Sequence, residues 1–456
     1  MLMDIPKDVE LIINELEAAG YEAYAVGGCV RDSILHRVPG DWDITTSAKP
    51  EQVKSVFNRT IDTGIEHGTV TVMIGKTGYE VTTYRIDGEY EDSRHPKAVV
   101  FTASLREDLR RRDFTINAMA YNPKTGIVDL FDGQGDIERG VIRCVGCAGD
   151  RFDEDALRMM RAVRFSAQLG FEIDDDTAKA IRERAEHLNR ISAERIQTEL
   201  VKLLTSAHPE YIHKAYILGI TKVVMPEYDD IVGLEQRTPN HIYTVDEHTL
   251  IALKSIEPDP VLRLTMLMHD FGKKQVKVTK PDGRDIFYRH PEVSAELARR
   301  ILKRLKFDNY TLERTVRLVK CHGLKYDATQ VDLRKALTRV GRDLFEDFIK
   351  VQIADIKGKK PDIVADKLKG MEAKCQVYAE VIAADQCFEI KGLAVKGGDL
   401  IHIGIPSGPL LGAILERLLD LVIEDQSLNT KAQLCALALQ LKDDPKVYDK
   451  RPAFFK

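Results

Sequence analysis

Residues 21–47, YEAYAVGGCVRDSILHRVPGDWDITTS, hold an alternating apolar run, a glycine pair, a polar segment and two aspartates in quick succession. The run up to Gly27-Gly28 reads as a strand, and a polar helix is expected from about Arg31. The chain then re-emerges as a second strand carrying Asp41 and Asp43. Side chains two apart on a strand share a face, so both carboxylates project together. Paired carboxylates beside a glycine turn suit one kind of chemistry. Their oxygens match the octahedral demands of Mg²⁺, and the bare turn lets backbone N–H groups approach a triphosphate. Two metals so held can activate a hydroxyl and stabilise a leaving pyrophosphate.

An isolated Asp-x-Asp or Gly-Gly is usually only a loop or a turn. Here GG, RD and DWD fall together within residues 27–43. The stretch resembles the nucleotidyltransferase superfamily. More narrowly, it is similar to the bacterial class II tRNA nucleotidyltransferases, which comprise the CCA-adding enzymes and their poly(A) polymerase relatives. Their first motif, GGxVRD followed by DxD, is matched by Gly27, Gly28, Val30, Arg31, Asp32, Asp41 and Asp43.

The chain has 456 residues, enough for several domains, and is 44% hydrophobic and 30% charged. No apolar run is long enough to suggest a membrane span. The N-terminus carries Asp4 and Glu10 and lacks a signal-peptide core. The 7 scattered cysteines read as reduced thiols, so a cytoplasmic protein is expected. A formal charge of −5 argues against indiscriminate nucleic-acid coating. It leaves room for an RNA partner bound through local basic clusters, as at Arg110-Arg111-Arg112 or Arg158/Arg161/Arg164. The cluster ARRILKRLK (298–306) reads equally well as a solvated helix face.

Along the chain, residues 1–20 read as an amphipathic helix with Val9, Ile12, Ile13, Leu16 and Ala19 on one side. Residues 67–85 read as a β-hairpin whose turn lies between Gly75 and Gly78. On its second arm Glu80 is either an ordinary solvent-face residue or a third carboxylate, where nucleotidyltransferases often place one. The polar segment IDGEYEDSRHP (86–96) reads as a mobile loop. The resemblance implies that such a loop repositions substrates. Residues 104–121 match the family's RRDFTxNA motif at Arg111, Arg112, Asp113, Phe114 and Asn117. An arginine pair at a helix start offers forked donors for phosphate or sugar oxygens. Residues 128–146 read as strand, turn and strand closing a catalytic domain. The lone pair Cys144 and Cys147 is too weak a signal for zinc.

Residues 151–170 read as one helix, with Asp153 as its N-cap and Gly170 at its stop. Asp155, Arg158 and Arg161 would drift across one face, while Arg164 drifts further. An aspartate beside an arginine can read a base: the carboxylate accepts from N4 of cytosine or N6 of adenine, and the guanidinium donates to the neighbouring ring nitrogen or carbonyl. Uracil and guanine put a carbonyl where that amine should be. Such a site takes CTP and ATP and refuses UTP and GTP. The alternative is plain Glu154–Arg158 pairing along the helix. Glu154, Asp155 and Arg158 match the EDxxR motif of the class II enzymes, and the resemblance extends to Arg161 and Arg164 as triphosphate contacts. Arg195 falls where the family's helical neck has a further, softer motif.

A separate constellation follows. His248, the adjacent His269-Asp270, His290, His322 and Asp355 lie on successive helical stretches. Histidine and carboxylate ligands gathered from several helices suit a divalent transition metal or Mg²⁺, which can deliver hydroxide to phosphorus. Their order resembles the HD phosphohydrolase superfamily, H…HD…D, with two added histidines for a second metal. Such a site either trims RNA ends, for example 2′,3′-cyclic phosphates or 2′-phosphates, or survives only as a fold that supports tRNA. The Gly397-Gly398-Asp399-Leu400 segment and the helix after it resemble the tail with which CCA-adding enzymes grip tRNA.

The expectation is therefore an α+β protein. A nucleotidyltransferase head with a mixed or antiparallel sheet (1–147) precedes an all-helical neck (148–206), an HD body (207–380) and a tRNA-binding tail (381–456). The resemblance implies stepwise addition of C, C and A to tRNA 3′ ends from CTP and ATP. In it Asp41 and Asp43 hold Mg²⁺, Gly28, Arg31 and Arg112 bind the nucleotide, and Asp155 and Arg158 choose the base. An A-adding enzyme, a poly(A) polymerase, or an HD phosphohydrolase with a nucleotide-binding head stand as alternatives.

Overall fold

The computed structural model describes residues 3–87 and 99–448. Two compact units divide the chain: Met1–Asp229 with Arg304–Lys306, and Asp230–Lys303 with Phe307–Lys456. Most of the segment read as a mobile loop lies outside the described residues.

The first unit is built on a mixed seven-stranded sheet. Its opening helix α1 (Lys7–Ala18) buries Val9, Ile12, Ile13 and Leu16 and packs on the sheet. Ala19 lies past its end and is exposed, so it does not belong to the apolar face. Strand β1 (Ala23–Val26) leads through Gly27 into helix α2 (Gly28–Ile34), which begins three residues before the position read from sequence. Strand β2 spans only Ile44–Thr46, so Asp41 and Asp43 precede it rather than ride on it. The ladder nevertheless reaches back to Asp43, whose carbonyl accepts from Val26 N at 2.9 Å.

After helix α3 (Pro50–Val56) come strands β3 (Thr60–Gly64), β4 (Thr69–Ile74) and β5 (Thr77–Thr83). The β4–β5 turn is Gly75-Lys76, with Gly75 at positive φ. Gly78 lies inside β5, opposite Met73, and a Cβ there would meet Thr71 Cγ2 at 2.7 Å. A small pair, β6 (Arg85–Asp87) and β7 (Val99–Phe101), precedes helix α4 (Leu105–Arg110). Strands β8 (Met119–Asn122) and β9 (Gly126–Asp129) complete the sheet, in the order β3-β4-β5-β2-β1-β8-β9. Within this sheet, among the described residues, only β2 and β5 pair in parallel. That pairing decides which side chains share a face. Ile44 lies opposite Val81, and both are buried. One step back in register, Asp43 and Glu80 therefore fall side by side on the other face. This second face also carries Val26 and Ala120, which pack with Leu109 of α4.

Residues 128–146 depart from the expected strand, turn and strand. Helix α5 (Gly133–Arg139) intervenes, and strand β10 (Val141–Ile142) pairs in parallel with β11 (Glu172–Ile173) rather than with the large sheet. The stretch read as one helix over 151–170 is two, α6 (Ala148–Glu154) and α7 (Leu157–Leu169). Asp155 breaks them apart at φ −143° and ψ 103°. Its Oδ1 then accepts from Leu157 N at 3.0 Å, so Asp155, not Asp153, is the residue that caps the second helix. Helices α8 (Asp175–Arg184) and α9 (Ala193–Leu204) follow, and α9 packs against α7.

The second unit is helical but for one two-stranded ribbon among its described residues. Helices Val245–Lys254, Pro260–Met268, Asn309–Cys321 and Phe345–Lys357 pack together, burying Leu253, Leu267, Val319, Phe348 and Val351. A distinct apolar core, with Val395, Leu400, Ile414, Leu418, Val422 and Leu434, gathers the chain after Cys387.

Candidate active site

Gly27 adopts φ 84° and ψ −127°, a region that only glycine enters without strain. A Cβ there would also lie 2.9 Å from Arg112 Nη1. The turn is thus bare because an arginine lies against it. Arg112 has little else to hold. Its Nη2 reaches the buried Asp108 at only 3.5 Å, and its buried Nε has no hydrogen-bond partner among the described residues.

The carboxylates face the same place. Asp43 is open to solvent on one side, yet loss of hydration in the site and the neighbouring Asp41 charge push its carboxyl up to about 6. Arg112 acts against that rise and Glu80 adds to it. Asp41, Arg112 and Glu80 are therefore all within electrostatic reach of Asp43. Glu80, left undecided by sequence, stands beside Asp43 because β5 runs parallel to β2.

Near these groups runs a largely buried chain of polar side chains. Arg31 Nη1 donates to Asn117 Oδ1 at 2.6 Å, Asn117 Nδ2 donates to Asp113 Oδ1 at 3.1 Å, and Arg161 Nε donates to Asp113 Oδ2 at 2.8 Å. Burial alone would raise the Asp113 carboxyl, but Arg161, Asn117 and Arg158 outweigh it and hold the group well below the usual carboxylate range. Arg31 also pairs with Asp32. The sequence places Arg111 and Arg112 at a helix start; the structure puts them at the end of α4, where Arg111 is tied to Asp108 at 2.8 Å. Asp108 was not singled out by sequence, although its spacing of three and four residues from the two arginines is a usable helical signal.

The residues expected to read a base are joined to this network. Arg158 is buried, and its Nη2 donates to the carbonyl of Arg111 at 3.1 Å. Its Nη1 meets Glu154 and the Arg151 carbonyl. Asp155 Oδ2 accepts from Arg195 at 2.7 Å, which gives the softer Arg195 motif a definite partner. Because α6 ends at Glu154, Asp155 and Arg158 are not successive positions on one helical face. Arg161 is engaged by Asp113. Arg164 pairs with Glu199 at 2.8 Å, bonds to Gln168 and stacks on Phe165, a ring that Arg31 and Arg161 also approach. Gly28 sits at the first position of α2, beside Arg31. Cys144 is buried and Cys147 exposed, and neither belongs to a cluster of metal-ligand type among the described residues.

In the second unit the six predicted residues converge. Each histidine turns Nδ1 to a backbone carbonyl: His248 to Gly358 at 2.8 Å, His269 to Met266 at 2.7 Å, His290 to Phe287 at 2.8 Å and His322 to Val319 at 2.7 Å. A carbonyl only accepts, so Nδ1 carries the proton and a neutral ring presents a bare Nε2. Those Nε2 atoms face each other, His248 to His269 at 3.1 Å and His290 to His322 at 3.3 Å. Two facing lone pairs repel unless a proton or a metal cation lies between them. Asp270 serves both pairs. Its Oδ2 lies 3.1 Å from His269 Nε2, and its Oδ1 lies 3.3 Å from His290 Nε2. Asp355 Oδ1 lies 3.1 Å from His248 Nε2. Two ligand groups result, His248/His269/Asp270 and Asp270/His290/His322, each with its ligand atoms within 4.8 Å of one another. Among the described residues, the carboxylates of the first unit form no group so tight, as like charges without a cation between them should not. Sequence reading missed Lys273 and Lys359, which pair with Asp270 at 2.6 Å and with Asp355. Their helical spacing from those aspartates was the available clue. Gly272 lets the His269-Asp270 corner meet the next helix, since a Cβ there would lie 2.7 Å from the His290 carbonyl.

A glycine turn, a row of carboxylates and an arginine on one face of a mixed sheet define a nucleotidyltransferase head. Residues 23–143 match the Poly A polymerase head domain, residues 170–232 the probable RNA and SrmB-binding site of polymerase A, and residues 287–438 the putative tRNA nucleotidyltransferase domain 2. The CCA-adding enzyme of Lactiplantibacillus plantarum is 36% identical over 436 residues, 95% of either chain, and that of Levilactobacillus brevis 36% over 443 residues, 95% of this chain and 98% of the other. The Bacillus stearothermophilus CCA-adding enzyme, solved in complex with CTP, superposes with a TM-score of 0.70 at 29% identity, covering 95% of this chain and 96% of that one. The Thermotoga maritima CCA-adding enzyme, solved with tRNA, shares the fold at a TM-score of 0.60 and 19% identity, covering 96% and 97%. The chain belongs to the CCA-adding enzyme family. No described helix is long and apolar enough to cross a membrane.

Proposed function

We propose that the protein adds C, C and A stepwise to the 3′ end of tRNA from CTP and ATP, releasing pyrophosphate. The observation that carries this reading is the placement of Asp43 and Glu80 on one sheet face, with Arg112 laid against the Gly27 turn beside them. Oxygen ligands crowded so that lost hydration, and then the Asp41 charge, raise Asp43 to about 6 are a fit for Mg²⁺. Asp41 and Asp43, joined by Glu80, would hold it. Bound there, Mg²⁺ supplies charge neutralisation at the attacking hydroxyl and the leaving pyrophosphate.

The chain's own residues do the rest. The Gly27-Gly28 turn leaves room for phosphate against the backbone. Arg112, with Nε unengaged, donates to the nucleotide's phosphate or sugar oxygens. The Arg31–Asn117–Asp113–Arg161 chain ties the Gly27-Gly28 helix to α7. In this reading residues 148–206 are the neck, and Asp155 and Arg158 present an acceptor and a donor edge to the base. The tRNA's terminal 3′-hydroxyl attacks the α-phosphorus. Arg161 and Arg164 contact the triphosphate only after leaving Asp113 and Glu199. Residues 1–147, 207–380 and 381–456 are assigned as head, body and tRNA-binding tail, in a cytoplasmic enzyme. Full-length protein carrying Asp41→Ala or Asp43→Ala should incorporate no CTP into tRNA lacking its terminal CCA. Incorporation at the wild-type rate would refute the assignment.

A second reading concerns the other unit. The facing bare Nε2 atoms favour an HD-type dinuclear site for a divalent transition metal or Mg²⁺, with His248, His269, Asp270, His290, His322 and Asp355 as ligands. When bound, such ions activate water for attack on phosphorus. A phosphohydrolase acting on RNA-end phosphates follows. It is tested by metal content and by hydrolysis of a 2′,3′-cyclic phosphate in wild type against Asp270→Ala.

A further inference from the structure

Asp108 is a carboxylate from which a triphosphate site gains nothing directly. Its side chain is wholly buried, and it lies beside Arg112, the arginine assigned to the nucleotide. Burying an anion costs hydration, and this one would also repel phosphate. Its partners point to another use.

The two oxygens of Asp108 are engaged unequally. Oδ1 accepts twice from Arg111, from Nε at 3.0 Å and from Nη2 at 2.8 Å. Oδ2 lies 3.1 Å from Thr45 Oγ1 and only 3.5 Å from Arg112 Nη2. The Thr45 hydroxyl has a single proton and also meets the Thr82 carbonyl at 3.2 Å. Thr45 stands two residues after Asp43, and Thr82 two after Glu80. An ion pair three residues apart on an exposed helix face would be ordinary. Here the acid is buried, and its second oxygen is held by a strand 63 residues away in sequence.

Two neighbouring arginines are thereby sorted. Arg111 is engaged by Oδ1. Arg112 keeps one long contact, a buried Nε with no hydrogen-bond partner among the described residues, and an Nη1 laid against the bare Gly27 turn. Burial alone would raise the Asp108 carboxyl, but Arg111 and Arg112 outweigh it and hold the group below its ordinary range.

We propose that Asp108 is a positioning residue for nucleotide binding: it engages Arg111 so that Arg112 stays available for phosphate, and Thr45 keeps its second oxygen from closing on Arg112. The proposal rests on the assignment of Arg112 to the nucleotide made above.

The test measures CTP binding to the full-length chain by calorimetry in Mg²⁺ without tRNA, with incorporation of C into tRNA followed separately. Arg111→Ala vacates Oδ1, so the carboxylate should draw Arg112 to itself and weaken CTP about tenfold, the worth of one charged hydrogen bond. Adding Asp108→Asn removes that trap. The double variant should therefore bind CTP about threefold or more tightly than Arg111→Ala alone, whereas a purely structural pair would give losses that add. Thr45→Val opens Oδ2 to Arg112 and should weaken CTP about threefold. Unchanged CTP affinity in Arg111→Ala, or a folded double variant that binds no tighter than it, overturns the proposal. Where the double variant does not fold, unchanged affinity in Thr45→Val overturns it instead. CTP bound with this pattern but never incorporated into tRNA overturns the transfer reaction and keeps this inference; incorporation without the pattern does the reverse.

Discussion

Arg158 Nη2 donates to the carbonyl of Arg111 at 3.1 Å, across 47 residues of chain. The residue proposed to read a base is thereby anchored to the backbone next to Arg112, which in turn lies within electrostatic reach of Asp43. Under the proposed function this bond links base choice to phosphate chemistry, so substitutions on α7 are expected to act on selectivity as well as on rate.

Asp155→Ala separates these effects. It removes the cap of α7 at a cost of about 1 kcal/mol, a fall of a few degrees in Tm. It also removes the acceptor for N4 or N6. Selection of CTP and ATP over UTP and GTP should drop about tenfold or more, measured as the ratio of single-nucleotide incorporation rates. A Tm loss with selectivity intact would make Asp155 a cap and nothing else.

Gly27→Ala forces a side chain into a glycine-only backbone region and against Arg112. The expected cost is about 1–3 kcal/mol of stability, with incorporation reduced on the order of 100-fold because Arg112 is displaced. Chemical denaturation and steady-state incorporation check the two halves.

Asp43 gives a pH signature. Its folded-state pKa, about 6, lies above the ordinary carboxylate value. The folded apoprotein therefore binds this proton more tightly than the unfolded chain does. The associated stability is present below pH ~4 and is lost as pH rises through about 6. Asp43→Asn should stabilise the metal-free protein at pH 7–8, by no more than about 1 kcal/mol because solvent screens the site. The difference should vanish near pH 4, and the mutant should incorporate no nucleotide. Asp113 has the opposite sign: its depressed pKa supports the fold above pH ~4 and that support is lost on acidification. Tm against pH for wild type, Asp43→Asn and Asp113→Asn would show the two trends.

If the second reading holds, Asp270→Ala should abolish metal binding at both histidine pairs, since one carboxylate serves both, while His290→Ala should spare the His248/His269 site. Metal content after dialysis distinguishes two equivalents, one and none. CTP incorporation by the head should survive either substitution.

Much of this architecture was legible before any coordinates, but unevenly. The glycine turn and its neighbours were clear because a turn that admits only glycine leaves a sequence mark. The fate of Glu80 was not, because it depends on β5 lying parallel to β2, a pairing between strands distant in sequence. The break at Asp155 escaped notice because aspartate is as welcome in a helix's first turn as at its cap, and helical periodicity continued through it. Helix α5 was read as a turn because its glycines outweighed the short Asp136–Arg139 pattern. The order of the histidines and aspartates of the second unit was visible. The carbonyls that set their tautomers, and so leave Nε2 bare, belong to folded backbone alone.

The most direct measurement supplies purified full-length protein with tRNA ending before C74 and, separately, with tRNA ending in CC, together with each nucleoside triphosphate alone and Mg²⁺. The account predicts incorporation of C into the first tRNA and of A into the second, with UTP and GTP rejected in both. UTP or GTP incorporated as readily as CTP, or addition of A without any C, would contradict it.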